Sequence, residues 1–159
     1  MLSVKQFERC PRLEELRVSY RRRSRGVVTG RSPSFTPQMT AAYLRAVWAN
    51  DTIDLLEDFV MVCLNASLRP LGWVRLSRGG FDTATVDPRV VFAVALQTAA
   101  AAIVVAHNHP SGSLEPSDAD KQTTRRLQEA GKLLNIRVLD HIILTREGSF
   151  SFSDHGLME

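Results

Sequence analysis

The chain has 159 residues, 44% of them hydrophobic, which is enough for one well-buried core and too few for two ordinary domains. No run approaches the roughly 18 consecutive apolar residues of a membrane span, and the N-terminus lacks the apolar centre and cleavage site of a signal peptide. The formal net charge is small, +3, and the two cysteines, Cys10 and Cys63, are too far apart in sequence to indicate a disulfide framework or a zinc site of their own. We therefore expect a cytoplasmic, single-domain protein without a membrane partner.

Residues 1–36 are predicted to form a leader whose positive charge is concentrated in one stretch. Such a stretch can meet phosphate or an acidic partner, but no aromatic interleaving or base-reading motif accompanies it. A nucleic-acid partner is therefore left open without a motif to support it, and a solvated arm or edge strand is the preferred interpretation. The stretch consists of Arg17, Arg21, Arg22, Arg23, Arg25 and Arg31.

Residues 37–159 are predicted to form the main domain, whose elements are marked by prolines and apolar runs. Thr36 precedes Pro37 and Asp87 precedes Pro88, so each pair offers a capping side chain followed by proline at the first helical position. Apolar runs of strand length lie between and after these helix starts. In chain order we predict a helix over 37–50, a helical turn over 52–57, antiparallel strands over 59–64 and 71–77, a helix over 88–99 and a core strand over 101–106.

The second half of the domain continues with a long helix and a hairpin. Ser117 is the predicted N-cap of the helix, which closes in a turn at Asn135. Strands over 136–145 and 149–153 follow, joined at Gly148. Because helices and strands alternate irregularly and hairpins lie at both ends of the strand set, we expect an α/β domain with a mixed sheet flanked by helices.

A cluster of metal-binding side-chain types follows the core strand. In an extended segment, residues two apart point the same way, so His107 and His109 can offer ring nitrogens to one ion. Asp120, one turn into the helix capped by Ser117, is well placed as the third ligand. Two histidines and one carboxylate leave an open fourth position on a tetrahedral Zn²⁺, which is the coordination of a catalytic site. We therefore predict zinc as the cofactor.

Each of these residues also has an ordinary structural interpretation. His107 and His109 can be polar residues at a strand end that bond to loop carbonyls. Asp120 interacts favourably with the helix dipole, and Ser-x-x-acid resembles a capping box, which is compatible with metal binding. The shared register of both histidines, Pro110, Ser117 and Asp120 favours the metal site.

The same residues resemble the JAB/MPN (JAMM) metalloprotease motif, in which a distant Glu is followed by His-x-His-Pro and then Ser-x-x-Asp. More closely, the stretches 107–112, 129–134 and 138–144 resemble the JAB domain of the bacterial RadC family, and the likeness extends over residues 59–157. The resemblance implies a JAB/MPN-like fold and zinc-dependent hydrolysis of a peptide or isopeptide bond in a peptide or protein substrate. It also implies that Ser117 stabilises the oxyanion of the tetrahedral intermediate.

A general base is needed to take the proton of the attacking water and return it to the leaving nitrogen. In the JAB/MPN pattern this is a Glu just before an early buried strand, and Glu57 occupies that place, two positions before Phe59. Asp58 is the competitor. The alternative for Glu57 is a charged residue at a helix end that faces water.

Asp140 and His141 are a second pair of chemically capable side chains. Because neighbours in a strand face opposite sides, both cannot point at one ion. We interpret them as a structural pair, with Asp140 the one near the site, behind the ligands.

Two other functions compete with hydrolysis. One is a non-catalytic scaffold that holds metal, and the other is a DNA-repair-associated module of the RadC family. The resemblance implies an N-terminal helix-hairpin-helix region in full-length family members, for which this sequence offers no motif, and that departure disfavours DNA binding. A zinc deaminase is disfavoured because the His-x-Glu and Pro-Cys-x-x-Cys signature is absent.

Overall fold

The computed structural model describes residues 36–48, 53–79 and 86–158. The predicted leader and its arginines lie outside the described residues, apart from Thr36. The elements within these ranges are α1 (Pro37–Val47), β1 (Asp58–Leu64), β2 (Pro70–Arg78), α2 (Pro88–Gln97), β3 (Ala102–Asn108), α3 (Asp118–Leu134), β4 (Arg137–Leu144) and β5 (Ser149–Ser151).

The strands form one five-stranded sheet in the order β2-β1-β3-β4-β5. Only β3 and β4 are parallel, and the other three neighbouring pairs are antiparallel. A parallel pair needs a crossover connection, which α3 supplies between β3 and β4. The predicted α/β class with a mixed sheet is therefore confirmed.

Every residue of β1 and β3 is buried because helices cover both faces of the sheet. Since successive strand residues face opposite sides, the core divides into two layers. One layer packs the even-numbered β1 and β3 residues, such as Val62 and Val104, against Leu44 and Trp48 at α1. The other packs the odd-numbered residues against α2 and α3, and it includes Phe59, Met61, Ile103, Val105, Phe92 and Leu127.

Several predicted boundaries shift when the packing is seen. Helix α1 ends at Val47 and not near residue 50, because Trp48 has extended backbone (ψ 138°) and its ring is buried in the core. The segment expected to form a helical turn over 52–57 is not helical at its described residues, 53–57. Helix α2 ends at Gln97, since Ala99 takes a positive φ of 51° and turns the chain toward β3.

Strand β3 continues two residues beyond its predicted end, and this extension brings His107 into the sheet. His107 pairs with Phe59 of β1 and with Ile143 of β4. Helix α3 begins after Ser117, as predicted, and ends with Asn135 in the left-handed region at φ 55°. None of the helices in the described ranges combines the length and apolar character required to cross a bilayer.

Candidate metal centre

Three side chains from two neighbouring elements converge at the carboxyl end of β3. His107 lies in β3, His109 follows its last residue, and Asp120 lies in the first turn of α3. His107 Nε2 is 2.9 Å from His109 Nε2 and 3.2 Å from Asp120 Oδ1, and His109 Nε2 is 3.6 Å from Asp120 Oδ2. Ligand atoms about 2.1 Å from one zinc ion at tetrahedral angles are about 3.4 Å apart. The spacing of these donors therefore fits such an ion.

The hydrogen bond on the far side of His109 fixes which nitrogen is available. His109 Nδ1 lies 2.8 Å from the carbonyl oxygen of Ser113. A carbonyl cannot donate, so Nδ1 carries the hydrogen of the neutral ring and Nε2 keeps its lone pair. That lone pair faces His107 and Asp120, as a ligand requires.

The charges at the centre favour a cation. Burial by itself would raise the pKa of Asp120, but the imidazole rings of His107 and His109 beside its carboxylate hold that pKa well below its usual range. The hydrogen bond with Asp120 in turn raises the pKa of His109, and the nearby charge of Glu57 acts in the same direction. Positive charge at this point, whether a proton or a metal ion, is therefore stabilised.

Glu57 and Asp58 are both buried, and their charges act on different partners. Glu57 is 8% exposed, so it does not face water, and its charge acts on His109. Asp58 is fully buried and forms ion pairs with Arg75 and Arg78 of β2, each at 3.1 Å. The carboxylate of Asp58 is therefore engaged by β2, and Glu57 stays the candidate base.

Asn108 was not singled out from the sequence, and it holds the segment that carries Glu57. Its Oδ1 accepts from the backbone N–H of Asp58 at 2.8 Å. Its Nδ2 donates to the carbonyl oxygens of Ile53 at 2.6 Å and Leu56 at 2.9 Å. The signal available in the sequence was its place between two histidines in a strand, where its side chain must point to the opposite face from theirs.

Ser117 combines the two interpretations that the sequence left open. Its Oγ accepts from the backbone N–H of Asp120 at 3.1 Å and donates to Asp120 Oδ2 at 2.6 Å. Its backbone N–H donates to the same Oδ2 at 2.8 Å, which completes a capping box. The cap thus orients the Asp120 carboxylate and places a hydroxyl beside the ligands.

The expectation for Asp140 and His141 was wrong in its orientation. Asp140 faces away from the site, where it accepts hydrogen bonds from Ser151 Oγ at 2.7 Å and Ser153 N at 3.0 Å. His141 is the residue behind the candidate ligands, with Nε2 2.8 Å from His107 Nδ1. Burial chiefly holds the pKa of His141 well below its usual value. A register shift between β3 and β4 after Ile103 determines which of these two residues faces the cluster. The sequence carries no sign of this shift.

Comparison with known proteins identifies the same segment. The profile of the RadC-like JAB domain family matches residues 35–157. A UPF0758 protein of Geotalea uraniireducens is 48% identical over 103 residues, which are 64% of this chain and 45% of that protein. A UPF0758 protein of Aeromonas hydrophila is 40% identical over 124 residues, 78% of this chain and 54% of that protein.

The chain therefore spans about half the length of the curated relatives that it matches. A third relative, the UPF0758 protein of Flavobacterium johnsoniae, is 42% identical over 101 residues, which make up 64% of this chain and 44% of that protein. The residues that the family profile matches include the candidate metal centre and all the described strands of the sheet.

Proposed function

The chain belongs to the family of RadC-like JAB domains, and on this basis we propose that it is a zinc-dependent hydrolase of peptide or isopeptide bonds. The observation that carries the proposal is the convergence of two imidazole nitrogens and a carboxylate beside a buried glutamate. The proposed ligands are His107, His109 and Asp120. Three protein ligands would leave a fourth position for water or substrate, as in catalytic zinc sites.

The proposed chemistry divides between the cofactor and the protein. A bound zinc ion would supply Lewis acidity, which lowers the pKa of water toward neutral and polarises a carbonyl. Glu57 takes the proton of the attacking water and delivers it to the leaving nitrogen. Glu57 is buried, and Asn108 holds the backbone of Leu56 and Asp58 on either side of it, which restricts the positions of its carboxylate and favours this transfer.

Ser117 is proposed to donate its hydroxyl hydrogen to the oxyanion of the tetrahedral intermediate. The hydroxyl donates to Asp120 Oδ2 in the structure, so the proposal requires it to turn from the carboxylate toward the substrate. The rotation gives up this hydrogen bond in exchange for one to the oxyanion, and the backbone N–H of Ser117 continues to hold Asp120. The substrate class, a peptide or protein, comes from the family resemblance.

The direct test is turnover of a mixed set of peptide and isopeptide amides by the purified protein. Chelation should abolish turnover and added zinc should restore it. Glu57→Gln should bind zinc like the parent protein and lose turnover. Zinc binding without turnover of any amide would favour the metal-binding scaffold, and salt-sensitive binding of DNA would favour the DNA-repair-associated module.

A further inference from the structure

A continuous chain of hydrogen bonds joins the two elements that carry the candidate ligands. Thr124 Oγ1 donates to the backbone carbonyl oxygen of Asp120 at 2.7 Å. The same Oγ1 lies 2.7 Å from His141 Nδ1, and His141 Nε2 lies 2.8 Å from His107 Nδ1. Thr124, His141 and His107 are all at most 1% exposed, so water does not compete for these bonds.

The Asp120 carbonyl at one end of this series of hydrogen bonds determines which atom donates in every bond of the series. The carbonyl oxygen of Asp120 has no proton, so the single hydroxyl hydrogen of Thr124 must point to it. The contact of the hydroxyl with His141 then requires a hydrogen on His141 Nδ1. A neutral His141 therefore accepts at Nε2, and His107 must donate from Nδ1.

These hydrogen bonds give His107 the tautomer that metal binding needs. With its hydrogen on Nδ1, His107 presents the lone pair of Nε2 toward His109 and Asp120. A positively charged His141 would donate from both nitrogens and would force the hydrogen of His107 onto Nε2. Full burial of His141 between aromatic rings disfavours that charge.

We propose that His141 and Thr124 are positioning residues that select this tautomer of His107 and tie the ring to helix α3. The inference rests on the proposed metal site, but it concerns residues that touch neither the metal nor the substrate. The series of hydrogen bonds begins at the backbone of Asp120 and ends at His107. A movement of α3 relative to β3 would therefore disturb both candidate ligands together.

Ring packing holds the same arrangement from the sides. Phe59 stacks on His107 with 6.0 Å between ring centroids and an interplanar angle of 2°. Phe152 stacks on His141 at 4.8 Å and 18°. These apolar contacts restrict ring rotation but do not distinguish the two tautomers. We therefore assign the choice of tautomer to the hydrogen bonds of Thr124 and His141. A variant that changes only the ring packing serves as the control.

The test measures the affinity of the protein for Zn²⁺ alone, by competition with a chelator. Thr124→Val keeps the shape of the side chain and removes the hydroxyl, while Thr124→Ser keeps the hydroxyl. We expect Thr124→Val and His141→Phe to weaken zinc binding by about 10- to 100-fold. Thr124→Ser should match the parent protein. Phe152→Leu should lower thermal stability and leave zinc affinity unchanged.

A second measurement, made without added zinc, reads the tautomer itself. Nitrogen-15 spectra of the histidine side chains should show His107 protonated at Nδ1 in the parent protein. In Thr124→Val they should show a mixture of tautomers. This readout does not depend on activity, and it remains informative if His141→Phe fails to fold.

The outcomes separate this inference from the proposed function. Parent-like zinc affinity in both Thr124→Val and His141→Phe would overturn the positioning role and leave the hydrolase proposal intact. A parent protein that binds no zinc would overturn the proposed zinc chemistry. In that case an unchanged tautomer in Thr124→Val would overturn the inference, and a mixed one would support it.

Discussion

The two faces of the sheet bury polar side chains for different purposes. On the face toward α1, Asn108 and Asp140 close their hydrogen bonds within the protein and hold the segments around β1 and β5. On the face toward α3, His107 directs its free nitrogen to a point shared with His109 and Asp120. The buried polar side chains of the first face hold neighbouring backbone segments in place. Those of the second face present lone pairs to a common point. Substitutions on the two faces should therefore produce different defects.

The largest expected effect is loss of the metal from the α3 side. The parent protein should carry about one zinc per chain, and His109→Ala should carry none, because one of three ligands is removed. The side chain of His109 is 15% exposed and packs at the edge of the domain, so the variant should still fold. Elemental analysis after gel filtration measures the content.

The matched control for the metal experiment is His155→Ala. His155 is exposed and bonds to the Ser151 carbonyl, outside the ligand cluster, so zinc content should not change. Full zinc occupancy in His109→Ala would remove His109 from the ligand set.

The next largest effect should distinguish two neighbouring carboxylates. If Glu57 is the general base, Glu57→Gln lowers turnover by about 10² to 10⁴, with zinc content and folding close to the parent. Asp58→Asn should change turnover little, because Asp58 is paired with Arg75 and Arg78. Steady-state kinetics on any responsive substrate gives the comparison. The reverse order of effects would assign the base to Asp58.

A stability effect is expected from Asn108, which lies between two ligands but faces α1. Asn108→Ala leaves two buried backbone groups and one part-buried backbone group without their partner and should lower the free energy of unfolding by about 3 kcal/mol. Zinc content should stay near that of the parent. Turnover should fall because the segment that carries Glu57 is no longer fixed. Urea unfolding and elemental analysis separate these readouts.

Asn65 offers a comparable asparagine in an exposed turn. Its Oδ1 accepts from the backbone N–H groups of Ser67 and Arg69, where water can replace it. Asn65→Ala should therefore cost much less stability than Asn108→Ala and leave turnover unchanged. Zinc loss from Asn108→Ala would show that the two faces are not separate in role.

Local signals explain which parts of the fold could be predicted from the sequence. The helix starts at Pro37, Pro88 and Asp118 depend on capping and proline chemistry within a few residues, and all three are found. The strands were recognised from apolar runs. The end of α1 was misplaced because Trp48 leaves the helix to fill the core, which depends on distant packing.

The candidate site divides in the same way. The convergence of His107, His109 and Asp120 follows from the two-residue period of a strand and the position of a helix cap. The roles of His141 and Asn108 could not be obtained, since one depends on the register between parallel strands and the other on a loop 50 or more residues away. Sequence patterns thus indicated the candidate ligands, and only the tertiary structure showed which residues contact them from behind.

The smallest expected effect is a pH dependence of stability that originates on the α1 face. Burial raises the pKa of Asp140, although the hydrogen bond from Ser151 opposes the change. Between the unfolded value of about 3.9 and the higher folded value, the folded protein binds more protons than the unfolded chain. As pH rises through this window, Asp140 therefore lowers the free energy of unfolding.

Asp140→Asn should remove that contribution. The variant should be less stable at all pH values, because an amide oxygen cannot accept every bond that the carboxylate accepts from Ser151, Ser153 and His141. Relative to the parent, however, its deficit should shrink as pH rises from about 4. Urea unfolding at a series of pH values measures the difference. A deficit that grows with pH would mean that the hydrogen bonds outweigh burial, and Asp140 would then stabilise the fold in its charged form.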